Sequence, residues 1–259
     1  MRKTVCGKAP RLVLSFAALT ALGGASARAQ HASDFWIGER GGALATSPRG
    51  VQPDLAYFHL PRVDEGFLIG WTDNDPGFDH VLNADPANSI FPLFSGAQVW
   101  IQIVSMDPAL ILIDDAFNIL ELPGDRSHLG NHLLHEHFTW FIEEENPGFD
   151  PGQCVWRATF LFDDKGSTNY ANSAPITVEF TNIPLREADG DFEPDGDVDA
   201  EDAAALPECL QGPGRRPEPG DATITTCEVD CVNAFDFDGD RDVDLRDVAA
   251  LQSAFTGSR

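Results

Sequence analysis

The sequence predicts a mainly β protein that ends in a small helical module. Three observations carry this prediction. Apolar and polar residues alternate with period two through the middle of the chain. Turn-forming clusters punctuate that region at short intervals, and an acidic segment near the end recurs after 45 residues.

The strands come first. Residues 97–104 (Ala97 to Val104) alternate over much of their length, residues 154–162 (Cys154 to Phe162) are β-branched and aromatic, and residues 176–181 (Ile176 to Thr181) alternate cleanly. Asp75-Pro76-Gly77, Leu122-Pro123-Gly124-Asp125, Asn146-Pro147-Gly148 and Asp164-Lys165-Gly166 supply turns. No amphipathic helix interrupts residues 31–184. Short strands between such turns predict an antiparallel β-sandwich, immunoglobulin-like, over residues 30–185 rather than βαβ units.

The first 29 residues stand apart. Arg2, Lys3, Lys8 and Arg11 form a basic leader, Leu12 to Gly23 is apolar, and Ala27-Arg28-Ala29 offers a small-x-small cleavage site. This is the pattern of a secretory signal peptide, with an apolar run too short to span a bilayer. It predicts a secreted, extracellular or cell-surface protein. The chain carries 17 basic and 42 acidic residues, and loss of five basic residues with the leader leaves −30. Such a surface repels nucleic acid and anionic lipid and favours cations. No later segment is apolar for long enough to enter a membrane. Cys154, Cys209, Cys227 and Cys231 remain, which in an exported chain points to disulfides. The spacing pairs Cys209 with Cys227 or Cys231, and leaves Cys154 as either a disulfide partner or a buried thiol. Cys227 and Cys231 have no second ligand pair for zinc.

After Arg186 the aromatic residues thin out and carboxylates take alternate positions. Asp191, Glu193, Asp195, Asp197, Asp199 and Asp202 recur as Asp236, Asp238, Asp240, Asp242, Asp244 and Asp247. The repeat continues through Ala204-Ala205-Leu206 and Ala249-Ala250-Leu251 to Gly212 and Gly257. Carboxylates at the first, third and fifth positions converge when the chain curls. A carbonyl joins from the seventh, a water from the ninth and a carboxylate from the twelfth, which is the ligand set of a calcium loop. Val198 and Val243, at the eighth position, are expected to pack the loops together. Asp199 and Asp244 can N-cap the helices that follow, with Asp202 and Asp247 three residues on. Without metal the crowded carboxylates repel, so folding is expected to couple to calcium binding.

These duplicated Asp-x-Asp-x-Asp-Gly-x-Val-Asp-x-x-Asp loops, each followed by a short helix ending near Gly, resemble type I dockerin over residues 186–259. The resemblance implies a variant EF-hand lacking the entering helix, stabilised by calcium and docking onto a cohesin-like partner. Arg241 stands where that pattern has glycine, so the second loop is expected to be the weaker. Pro207 falls inside the first helix and is expected to kink or shorten it. The segment from Gly212 to Asn233 is expected to be a long linker.

His128, His132, His135 and His137 cluster within ten residues. His135 and His137 would share one strand face, which suits zinc or copper once His80 or an acidic neighbour completes the set. The plain alternative is a polar strand face. His135-Glu136-His137-Phe138-Thr139-Trp140-Phe141, followed by Pro147-Gly148, residues 155–160 and then Ser173, Thr177 and Phe180, resembles the bacterial choice-of-anchor surface domain. That resemblance implies an extracellular β domain joined to an attachment device.

No nucleophile elbow, P-loop, His-Glu-x-x-His or dinucleotide fingerprint is present in the sequence. The expectation is a non-enzymatic surface or assembly protein. A polysaccharide-binding or polysaccharide-degrading component, or a zinc- or copper-binding protein, stands as the alternative.

Overall fold

The computed structural model describes residues 33–50, 57–66, 68–217 and 227–257. The leader expected over residues 1–29 lies outside them. In chain order the strands are β1 (Phe35–Arg40), β2 (Ala43–Thr46), β3 (Tyr57–His59), β4 (Arg62–Asp64), β5 (Ile69–Asp73), β6 (Phe78–His80) and β7 (Gln98–Met106). There follow β8 (Leu110–Ile113), β9 (Ile119–Leu120), β10 (Arg126–Asn131), β11 (His135–Glu136), β12 (Thr139–Glu143), β13 (Val155–Asp164) and β14 (Ile176–Thr181). Among the described residues three helices follow: α1 (Ala200–Cys209), α2 (Glu228–Phe235) and α3 (Leu245–Ala254). Strands make up 34% of the described residues against 13% helix, so the fold is mainly β.

The strands form three sheets, ordered β11-β6-β1-β2, β10-β7-β13-β14-β3 and β4-β5-β12-β8-β9. Most neighbours are antiparallel, as expected. Two pairs are not: β1 lies parallel to β6, and β14 parallel to β3. Both join strands distant in sequence, where a long return removes the hairpin constraint that enforces antiparallel pairing. The β13–β14 hairpin runs in register from Val155↔Thr181 to Phe160↔Ile176.

Period-two burial explains the shared core. On β7, Val99, Ile101 and Ile103 are buried while Gln98, Trp100 and Gln102 are half-exposed. Aromatic rings tie the sheets to one another. Trp140 of β12 meets Phe180 of β14 with ring centroids 4.5 Å apart, and Phe35 of β1 meets Phe160 of β13 edge-on at 5.5 Å. The turn segment after β12 contributes Phe149, which stacks between Trp71 (5.6 Å) and Trp156 (5.9 Å), with Arg62 covering the outer face of Trp71 at 4.6 Å. Among the described residues no helix is long and apolar enough to cross a membrane.

The helical part is fastened to the five-stranded sheet that holds β13 and β14. Cys154, next to β13, bonds Cys227 at the start of α2, and Cys209 of α1 bonds Cys231 of α2. Cys154 is therefore a disulfide partner and not a buried thiol. Tyr57, Val155, Val229 and Val232 pack around the first bridge. Arg157 reaches from β13 to Glu179 at 2.8 Å and to Glu228 of α2 at 2.9 Å, and Arg216 also pairs with Glu179. Asn233 accepts from the Arg186 backbone N–H and donates to the Pro184 carbonyl, both at 3.0 Å.

Candidate metal centre

Each acidic loop precedes a helix, and the same hydrogen bonds shape both. In the first, Asp191 accepts from the N–H groups of Asp195 and Gly196 at 3.1 and 3.0 Å. Asp202 Oδ1 accepts from Phe192 at 2.7 Å, and its Oδ2 accepts from Asp199 at 2.8 Å. In the second, Asp236 accepts from Asp240 and Arg241 at 3.1 and 2.9 Å. Asp247 Oδ1 accepts from Phe237 at 2.9 Å, and its Oδ2 accepts from Asp244 at 2.8 Å. Both helices carry the expected capping box, Asp199 with Asp202 and Asp244 with Asp247. The twelfth-position carboxylate thus serves two ends of its loop at once.

The turn at the sixth position is left-handed in both loops, at Gly196 (φ +90°) and at Arg241 (φ +68°). Arg241 adopts the conformation that its non-glycine side chain disfavours, a cost of roughly 1–2 kcal/mol. The first helix is not shortened by Pro207: α1 and α3 are each ten residues long. Pro207 sits three positions before the C-cap, so it removes one hydrogen bond near a helix end, where the ladder is already closing. The segment expected to be linker contains α2, which ends at Phe235 directly before Asp236. The second loop therefore has an entering helix. Its signal in the sequence was the apolar set Val229, Val232 and Phe235, all buried, at helical spacing.

The structure brings some of the expected ligands together and not others. Glu193, Asp199 and Asp202 place carboxylate oxygens within 4.8 Å of one another. In the second loop two such groups share Asp247: Asp236 with Asp238, and Asp242 with Asp244. Asp191, Asp195, Asp197 and Asp240 fall outside these groups. Asp191, Asp195 and Asp240 accept loop backbone N–H bonds, while Asp197 is buried beside its loop. The second loop thus holds two such groups of three, sharing Asp247, against one in the first. Charge contributes to the difference. Residues 191–202 hold seven carboxylates and no base, whereas residues 236–247 hold six together with Arg241 and Arg246. Arg246 lies 3.7 Å from Asp238 and 3.8 Å from Asp240, while its counterpart Glu201 repels Glu193.

Electrostatics point the same way. Burial, with repulsion from neighbouring carboxylates behind it, pushes Asp236, Asp242 and Asp247 above the ordinary carboxylate value. Glu193 is raised by desolvation and by Glu201, Asp202 and Asp195. Asp242 is almost wholly buried, and its Oδ1 has no hydrogen-bond partner. A buried acceptor without a donor is costly unless a cation meets it. A hard divalent cation with oxygen ligands fits this donor set.

The expected packing of the loops is present, with Val198 and Val243 buried in one cluster with Ala205, Phe235 and Leu251. The histidines divide. His135 and His137 come together with Asp34, ring centroids 5.1 Å apart, whereas His128 bonds Gln98 at 2.9 Å and lies against Trp100. His132 and His80 are not in that group. Asp34 was missed because it lies far from the histidines in sequence, with no local pattern to mark it. No family model matches the chain, and neither a curated protein nor a solved structure matches it.

Proposed function

We propose that the chain is a secreted, non-enzymatic extracellular or cell-surface protein. In this reading its C-terminal dockerin-like module, residues 186–259, binds two calcium ions and serves attachment or assembly. The β region, residues 30–185, is read as an immunoglobulin-like sandwich of the choice-of-anchor kind that the module fastens to a partner. The observation that carries the reading is the duplicated hydrogen-bond network, repeated loop for loop across 45 residues, with the buried acceptor of Asp242 in the second copy.

Bound calcium would supply the positive charge that lets the gathered carboxylates stay ionised. Glu193, Asp199 and Asp202 would hold one ion, and Asp236, Asp238, Asp242, Asp244 and Asp247 would hold the other. The two disulfides suit an oxidising compartment. Because α1 and α3 are related by the repeat, the module presents two similar helix faces to a cohesin-like partner.

The test has two parts. Calcium added to the metal-stripped chain should increase its helical circular dichroism, and Asp202→Asn with Asp247→Asn should abolish the gain. Immobilised type I cohesin should then retain the calcium-loaded chain and release it in chelator. Calcium binding without retention would keep the metal site and remove the cohesin-like partner; an unchanged spectrum would remove both.

A further inference from the structure

Calcium takes oxygen ligands, and the histidines of the β region ask for a different ion. We propose that Asp34, His135 and His137 form a second metal centre, for a borderline divalent transition metal of the Zn2+ class. Their ligand atoms lie within 4.8 Å of one another. His137 Nε2 lies 3.7 Å from Asp34 Oδ2. That is near the edge of roughly 3.4 Å expected for a tetrahedron with metal–ligand bonds of about 2.1 Å.

The fold assembles this set from separate places. Asp34 immediately precedes β1, His135 lies on β11, and β6 runs between those strands in the four-stranded sheet, pairing Phe35↔Phe78 and His135↔Asp79. His137 follows β11 directly, so both rings reach the end of the sheet where Asp34 lies.

An outer layer of acceptors orients the rings. His135 Nδ1 lies 3.4 Å from Oδ2 of the buried Asp79. His137 Nδ1 lies 3.5 Å from Asp75 Oδ1 and 3.3 Å from the Asn74 carbonyl. On His137 the Asn74 carbonyl is an acceptor at Nδ1, which fixes that nitrogen as the protonated one and places the lone pair on Nε2, as in metal-ligating histidines held by an outer partner. Gly77 makes the close packing possible. Its N–H donates to Asp34 Oδ1 at 3.2 Å, and a Cβ there would stand 2.5 Å from the His137 ring.

Access and charge fit as well. Asp34 is fully buried, whereas the two imidazoles are about one-quarter exposed, leaving a solvent side for a water ligand and for metal exchange. Asp34, Asp75 and Asp79 set three carboxylates about the rings, a negative surround that favours a bound cation.

The experiment uses the full chain in saturating calcium, so that the acidic loops do not compete, and titrates Zn2+ against a chromophoric chelator. One zinc equivalent is expected. His135→Gln with His137→Gln should weaken it by at least about 100-fold, as should Gly77→Ala, while His128→Gln leaves it unchanged. Co2+ in place of zinc should give a visible d–d spectrum that the double variant lacks. The histidine variants are partly exposed, and circular dichroism checks that they fold. Equal zinc affinity in wild type and double variant, or no uptake by wild type, would overturn the proposal.

Discussion

The backbone carbonyl of Val198 accepts from the N–H of Gly257 at 3.1 Å, and Val243 accepts from Gly212 at 3.2 Å in the matching bond 45 residues along. Thr256 and Gln211 add a second donor to each carbonyl. Each loop is thus closed by the end of the other repeat's helix. This gives the two repeated glycines a reason: each takes a left-handed φ, +92° at Gly212 and +78° at Gly257, to turn its N–H toward the opposite loop.

A crossed effect follows for Gly257→Ala. The added Cβ meets nothing within 4 Å, so the cost is backbone strain of about 1–2 kcal/mol. Calorimetry with calcium should show the first loop weakened more than the second, because Val198 belongs to the first. Equal weakening of both loops would argue against the crossed closure.

Arg241→Gly should act in the opposite direction. Glycine relieves the left-handed strain at the sixth position and stabilises the module by roughly 1 kcal/mol. It also removes a positive charge beside the second loop, so calcium affinity there should rise. Chemical denaturation in chelator reads the first effect, and a calcium titration reads the second.

The two parts of the chain should respond to acid in opposite senses. In the loops, Asp236, Asp242 and Asp247 are raised, chiefly by burial, above 3.8. A raised carboxylate stabilises the fold when protonated, and that contribution is lost as pH rises through the raised value. The calcium-free module should therefore melt at higher temperature as pH falls through the raised values toward 3.8, whereas the calcium-loaded one should melt lower as protons displace the ion. In the β region, burial raises Asp114 and Asp164 but hydrogen bonds outweigh it. Ser127 and Asn118 hold Asp114 below 3.8, and Gln98 and Thr168 do the same for Asp164. Their contribution is present above 3.8 and lost only below it. Melts followed separately by helical and aromatic circular dichroism distinguish the two trends.

Cys154→Ser with Cys227→Ser should cost about 2–4 kcal/mol, since the bridge closes a long loop between β13 and α2. Arg157 would still pair with Glu228 of α2, and Glu179 with Arg216, so the helical part should remain docked. Limited proteolysis near residue 186 should accelerate only modestly. Rapid excision of the module would show that the disulfide alone holds it.

Local patterns were legible and long-range joins were not. Alternation marked β7, β13 and β14 within two or three residues, and the 45-residue repeat placed both loops, both capping boxes and the buried Val198 and Val243. The parallel pairing of β1 with β6 and the Cys154–Cys227 bridge depend on topology, which no local period encodes. α2 is only eight residues long, so its buried Val229, Val232 and Phe235, set among Glu228 and Asp230, give just two helical intervals. Among the candidate ligands, chemistry selected the correct residue types. Which of them converge is not marked by local bonding, since backbone N–H groups donate to Asp236, Asp202 and Asp247 inside the groups as well as to Asp191, Asp195 and Asp240 outside them.

The central claim is that the acidic repeat is a calcium pair, and equilibrium dialysis of the full chain against radioactive calcium tests it most directly. Two ions per chain are expected, falling to one in Asp202→Asn and to one in Asp247→Asn. A wild-type chain that retains no calcium at millimolar free concentration would contradict it.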